Sequence, residues 1–234
     1  MEPLVVASNL LNERPQLDEW FDFVKEIADG GILIVDGGST DGTLEFFLHK
    51  KDKNGRLVSL TVNNIIQEEG YGPARNHLRQ LASERFPEAH WLLYLDADER
   101  IDPEDFHILR HLKDSLIDAY DVIALPRLDW LDKERTRLAK DWKVNPDWQA
   151  RMTRLSSPLK YIRRLHEQLS NFSGIYTDMT NPKINHFHRG VSQEKRDFVG
   201  RLCSKLHRED EYGNTYPKHH KEDYYYEQYK EKGL

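Results

Sequence analysis

Short apolar runs that end abruptly in polar residues punctuate the first half of the chain. Leu4-Val5-Val6-Ala7-Ser8 runs into Asn9, Asn12 and Glu13, Ile32-Leu33-Ile34-Val35 ends on Asp36, and Trp91 to Leu95 meets Asp96-Ala97-Asp98-Glu99-Arg100. Strands that are apolar throughout belong in sheets covered on both faces. Helical spacing fills the intervals. Pro15 opens a helix carrying Leu17, Trp20, Phe21, Val24 and Ile27, with Gly30-Gly31 as its stop. The loop Gly37-Gly38-Ser39-Thr40-Asp41-Gly42-Thr43 holds several N-cap residues and leads into a helix with Leu44, Phe47 and Leu48. A third strand is expected from Leu57 to Ile66. Gly70-Tyr71-Gly72 then breaks the chain, and Pro73 starts a helix whose apolar face is Ala74, Leu78, Leu81 and Ala82. Arg75 sits in the first turn of that helix, where the helix dipole disfavours a cation, so it answers negative charge nearby. Asp102-Pro103-Glu104-Asp105, with Asp as cap and Pro at the first position, starts another helix.

Up to about residue 118 this β-α alternation predicts an α/β fold with a mostly parallel, three-layer sheet. Ligands then collect at the carboxyl ends of the strands. Val122 to Leu125 is one more strand, and the alternating runs Trp148 to Leu155 and Lys160 to Leu169 give mixed strands and loops packed on one edge of the sheet. Ser192 to Glu211 regains helical period through Phe198, Val199, Leu202 and Leu206. The expectation is a single domain over residues 1–211, divided at 118, and a charged, Tyr-rich tail over 212–234 that is either docked or disordered.

Composition narrows the function classes. The chain has 234 residues and a formal net charge of -6, so no basic field for nucleic acid surrounds it. A single cysteine, Cys203, excludes an intramolecular disulfide and a cysteine zinc site, which suits a reducing, cytoplasmic setting. No apolar run approaches the ~18 residues of a membrane span. Loose attachment to a membrane surface stays open.

Asp96 and Asp98 are the candidate chemistry. If the extended conformation persists they share a side, and two carboxylates in a crevice suit a hard divalent cation carrying a phosphorylated ligand. With 21 Asp in the chain, about two such triplets arise by chance, so the position after an apolar strand carries the information.

Taken together, the strand leading to Asn9 and Glu13, then Val35 to Thr43, then Gly72-Pro73-Ala74-Arg75-Asn76, then Leu95 to Arg100, resemble family 2 glycosyltransferases of the GT-A fold. Within them the chain is most similar to small bacterial enzymes of lipopolysaccharide-core type, whose later motifs are echoed by Asp147-Trp148-Gln149-Ala150-Arg151 and Leu165-His166-Glu167. The resemblance implies a Rossmann-like α/β/α core with a nucleotide-sugar-binding half over residues 1–118 and a mixed acceptor half over 119–211. It also implies an inverting, metal-dependent transfer from a nucleotide-sugar donor, UDP-linked, to a saccharide or lipid-linked saccharide. Asn9, Glu13, Asp36, Arg75, Asp96, Ala97 and Asp98 then bind the nucleotide sugar. Asp36 contacts the base and Arg75 the diphosphate or sugar. Mn2+ or Mg2+ is held by Asp98, with Asp96 on ribose or metal and His186 as third ligand, His188 being the alternative. Glu167 is the base, with Asp147 as runner-up, and Glu99 orients the loop. Gly37 departs from relatives that carry a second acid there, which opens the question of base identity.

Other readings attach to other residues. His107 and His111 have helical spacing without a third ligand and belong on the surface. Trp130, Trp142 and Trp148 either stack on acceptor sugars or pack in the core. A sugar nucleotidyltransferase needs a Gly-rich phosphate loop after the first strand, and Asn9 to Arg14 contains no Gly. A catalytically silent nucleotide- or sugar-binding protein on the same scaffold is the remaining alternative.

Overall fold

The computed structural model describes residues 2–139, 145–187 and 193–209. The expectations for Trp142, His188 and the tail over 212–234 fall outside these residues. Strands β1 (Leu4–Leu10), β2 (Gly31–Asp36), β3 (Ser59–Val62) and β4 (Trp91–Tyr94) form the parallel part of one sheet in the order β3-β2-β1-β4. After β3 the chain crosses back over β1 to place β4 on its far side. This reversal opens a crevice at the carboxyl ends of β1 and β4.

The alternation of each strand assigns its side chains to two faces. Leu4, Val6, Ile32, Ile34 and Leu93 pack with α1 (Leu17–Ile27), α2 (Thr43–Phe47) and α5 (Phe106–Ser115). Val5, Ala7, Leu33, Val35, Leu92 and Tyr94 pack with α4 (Tyr71–Arg85). Both faces are therefore dry, and each fully buried Leu, Ile or Val contributes about 1.5–3 kcal/mol relative to an exposed one. This is the three-layer α/β arrangement that the apolar runs call for.

The sheet continues beyond β4. β5 (Glu99–Ile101), β6 (Val122–Trp130), β7 (Asp147–Arg154), β10 (Ile175–Tyr176) and β11 (Ile184–Phe187) join it, giving nine strands among the described residues. β7 pairs antiparallel with both β4 and β6, and β11 runs beside the last part of β6 and against β5. β8 (Lys160–Ile162) and β9 (Gln168–Ser170) form a separate hairpin, and α6 (Gln193–Arg208) closes the described chain.

Local details differ from the sequence reading for identifiable reasons. The third strand stops at Val62, and Ile65-Ile66 lie instead on the one-turn helix α3 (Ile65–Glu68), where Ile65 is buried. Pro73 is the third residue of α4, not its first; that position still lacks an intrahelical acceptor, so proline's missing N–H costs nothing. Asp102 precedes the helical segment but makes no side-chain cap, because its carboxylate is taken by Arg135 at 2.7 Å and Asn185 at 3.3 Å.

Gly70 and Gly72 are required by close approach. A side chain at either would collide with the backbone carbonyls of Arg164 or Arg163, and Gly70 has φ +102. The start of α4 can thus press against the segment 162–164, to which Tyr71 donates a backbone hydrogen bond at 2.7 Å. Asn76 completes the join with a paired amide contact to Tyr161, 2.7 Å to its carbonyl and 2.8 Å from its N–H.

Candidate functional site

Three parallel strands deliver Asn9, Asp36 and Asp96 to the same end of the sheet. Asp36 is fully buried, and its Oδ1 accepts the N–H groups of Gly38 at 2.9 Å and Ser39 at 2.7 Å. Its Oδ2 is buried and has no hydrogen-bond partner, and neither has Oδ1 of Asn9. Unsatisfied buried acceptors are costly, and of these two residues Asn9 lines the cavity described below. The β1 and β2 loops are tied together by Asn12, whose Oδ1 accepts from Thr40 at 2.8 Å. Ser39 and Asp41 serve this local architecture: Ser39 accepts from the Asn12 N–H at 2.9 Å, and Asp41 caps Thr43.

β4 ends at Tyr94 and the chain turns through Asp96-Ala97-Asp98, with the Glu99 N–H donating to the Asp96 carbonyl at 3.0 Å. The turn sends the two aspartates to different partners. Asp96 accepts from Arg151 Nη2 at 2.9 Å, and the same nitrogen donates to Glu99 Oε1 at 2.6 Å. Glu99, fully buried, accepts the Asp96 N–H at 3.0 Å through its other oxygen and so fixes the turn. Asp96 keeps 54% of its side-chain surface exposed; the crevice's partial loss of solvent pushes its carboxyl up, but Arg151 and Arg75 outweigh it and hold the group below its ordinary range.

Asp98 faces β11 instead. Its Oδ2 lies 3.1 Å from His186 Nε2, while His186 Nδ1 lies 2.6 Å from Asp129 Oδ1, the residue beside it on β6. Burial lowers the imidazole's proton affinity, but Asp98 and the hydrogen bond to Asp129 more than reverse this and push it up to about 10. The charge is present in folded and unfolded chain alike below the ordinary value of 6.5, and its stabilisation is lost as pH rises through about 10. The thermal midpoint of the metal-free protein is expected to fall across that window more steeply than that of Asp98→Asn. Parallel slopes would show that the pair contributes nothing.

The same geometry suits a divalent cation. Asp98 Oδ2 and His186 Nε2 stand 3.1 Å apart, so both could turn to a cation that displaces the imidazole proton, and a carboxylate behind the imidazole is the usual orienting group of a metal-bound histidine. Among the described residues no group of three acidic, His or Cys side chains forms a complete cage. Two protein donors with open positions for phosphate oxygens are what Mg2+ and Mn2+ commonly take.

Arg75 and Glu167 meet on the α4 side of the crevice, with Arg75 Nε donating to Glu167 Oε1 at 2.5 Å. The Arg75 guanidinium lies 5.1 Å from the Tyr94 ring centre and 5.5 Å from that of Tyr161, so its planar face is packed on aromatics. The cation in the first helical turn is thus answered by a carboxylate across the fold. Burial opposes the Arg75 charge, and Glu167 with Tyr161 and Asp96 together more than offset it. Asp147 lies elsewhere, accepting from Arg127 at 2.8 Å and Gln149 at 2.7 Å.

A cavity of about 390 Å³ is lined among others by Asn9, Gly37, Asp96, Ala97, Asp98 and His186, while Asp36, Arg75, Glu167 and Asp147 are not among its lining residues. Glu13 also lines it, in an ion pair with Lys195 of α6; burial pushes the Glu13 carboxyl up to about 7 although Lys195 pulls it down. Trp130 hydrogen-bonds to Asn185 at 2.8 Å, Trp148 is partly exposed on β7, and His107 and His111 lie exposed on α5. The pairings of Arg151 with Asp96 and of Lys195 with Glu13 are invisible in the sequence. The only signal is the position of Arg151 among the apolar and alternating residues of β7.

A model of the family described as Glycosyl transferase family 2 matches residues 10–180. Among solved structures, S. aureus TarS superposes with a TM-score of 0.56 at 15% identity, covering 89% of this chain and 40% of that one. A structure of S. aureus TarS 1-349 gives a TM-score of 0.53 at 15% identity, covering 89% of this chain and 66% of that one. The chain therefore spans well under half of the first and about two thirds of the second, and the likeness is one of fold. No curated protein matches the sequence. No helix among the described residues is long and apolar enough to cross a membrane.

Proposed function

Because the chain belongs to glycosyl transferase family 2, we propose that it moves a sugar from UDP to a saccharide or lipid-linked saccharide, with inversion and with Mn2+ or Mg2+ bound. The observation that carries this reading is the Asp98–His186 pair in a cavity that Val35 and Gly37 also line, with the buried, unpartnered Asp36 Oδ2 on the residue between those two. Asp36 has one oxygen left after capping its own loop, so it takes one N–H. The uracil imide presents a single N–H between two carbonyls. Guanine presents adjacent donors, and cytosine presents an acceptor at the same ring position.

Asp98 and His186 would hold the cation, which when bound stabilises charge on the departing diphosphate. Asp96, braced by Arg151 and Glu99, faces the ribose. Glu167 has one oxygen on Arg75, and the other receives the proton of the acceptor hydroxyl as that oxygen attacks the sugar carbon. Arg75 keeps Glu167 aimed and places positive charge near the sugar.

Calorimetric titration with UDP, CDP, GDP and ADP, with and without Mn2+, tests the donor assignment. UDP is expected to bind best, and better with Mn2+; another preferred base, or indifference to the cation, contradicts the corresponding part. In Asp36→Asn the capping oxygen is retained and an amide N–H faces the base, so UDP binding is expected to weaken at least about tenfold and the gap to CDP to close.

A further inference from the structure

α6 lies beyond residues 10–180, the part that the family model matches, yet it forms a wall of the same cavity. Leu202, Cys203 and Leu206 seat the helix against Leu165, with Ile66 and Tyr71 packed alongside. Seating that stripe leaves the first turns of the helix facing the cavity, where Lys195, Arg196, Phe198 and Val199 line it. The Lys195 ammonium reaches the β1 loop, pairing with Glu13 and donating to the Asn12 carbonyl at 3.1 Å. Asn12 carries this carbonyl on a left-handed backbone, φ 54.

We propose that α6 is part of the donor site and that Lys195 is its diphosphate-binding residue, exchanging Glu13 for a phosphate oxygen when a nucleoside diphosphate enters. The inference rests on the donor reading above and adds a segment and a residue to it. The cavity is lined by Glu13, Asp96 and Asp98, three carboxylates that repel an incoming diphosphate. A cation at Asp98 offsets part of this. Arg127, which also lines the cavity, is committed to Asp147 at 2.8 Å and stands 3.5 Å from Glu99. Lys195 is differently placed. Its ammonium is a compact charge on a flexible stem, so it changes partners without disturbing a planar two-bond geometry. Burial, with Asp98 and Asp96 nearby, already pushes the Glu13 carboxyl up to about 7, so when the ammonium turns to phosphate Glu13 takes up a proton from solvent and no bare carboxylate is left in the cavity. The phosphate contact is charge-assisted and strong.

The discriminating measurement is the affinity of the full chain for UDP and for uridine, by calorimetry in Mn2+, for wild type, Lys195→Gln and Lys195→Arg. Lys195→Gln is expected to weaken UDP about tenfold or more while changing uridine less than about threefold, and Lys195→Arg to retain most of the UDP affinity. Equal losses for UDP and uridine would mean that Lys195 only latches α6 to the β1 loop, and unchanged UDP affinity would mean no contact; either overturns the assignment of Lys195 alone. Wild-type protein that binds no nucleoside diphosphate overturns the donor reading and this one with it.

Discussion

Glu167→Gln is expected to lose about a hundredfold to ten-thousandfold in transfer rate, the range a positioned general base supplies, while binding UDP and Mn2+ as wild type does. Gln preserves shape and an oxygen for the 2.5 Å contact from Arg75, so the local architecture survives and the proton acceptor does not. Glu167→Ala would be a poorer experiment, because both partners of this pair are mostly buried and Arg75 would be left uncompensated. The readout is turnover with a competent donor and acceptor, set beside the UDP dissociation constant. Wild-type turnover in Glu167→Gln would move the base elsewhere. Asp147 is the next carboxylate, although Arg127 and Gln149 already occupy it.

Asp98→Ala is expected to remove the Mn2+ stimulation of UDP binding altogether, a larger effect on cation dependence than Asp96→Ala. The asymmetry follows from their partners. Asp98 places Oδ2 3.1 Å from a histidine nitrogen, a donor pair that a cation can bridge, whereas Asp96 is engaged by a buried arginine. The substitution also takes the Asp98 carboxylate from His186, whose Nδ1 keeps its contact with Asp129. Titration of Mn2+ into each variant at fixed UDP measures this. Equal cation dependence in the two variants, or an Asp98→Ala protein that still responds to Mn2+, refutes the division.

Much of this architecture is legible in the amino-acid sequence alone. β1, β2 and β4 announce themselves because both faces of each are buried, so no polar residue interrupts them until the carboxyl end, where the site begins. The same rule overreaches at β3, an edge strand that is only partly buried: Leu57 and Val62 are exposed, and the apolar pair Ile65-Ile66 belongs to a helical turn. β5 is three residues with two charges, Glu99 and Arg100, and no pattern distinguishes it from a turn. The glycines of Gly70-Tyr71-Gly72 are visible as a break, but not as a contact surface for residues 163 and 164. What stays hidden are polar pairings across long sequence separations: Asn76 with Tyr161, Arg151 with Asp96, Lys195 with Glu13. Each is decided by how the sheet closes, and local periodicity carries no record of that.

β4 pairs in parallel with β1 and antiparallel with β7, so a single strand belongs to both the parallel part and the later, mixed part of the sheet. An uninterrupted hydrogen-bonded sheet has no hinge. On the reading proposed above, donor and acceptor would then meet without a clamshell motion, at a distance built into the strand register. Exchange of the region after residue 118 between related chains should therefore be judged at one seam, the facing of Leu92 and Leu93 against Thr153 and Met152. A graft that slips there by one residue would turn Arg151 to the opposite face and away from Asp96.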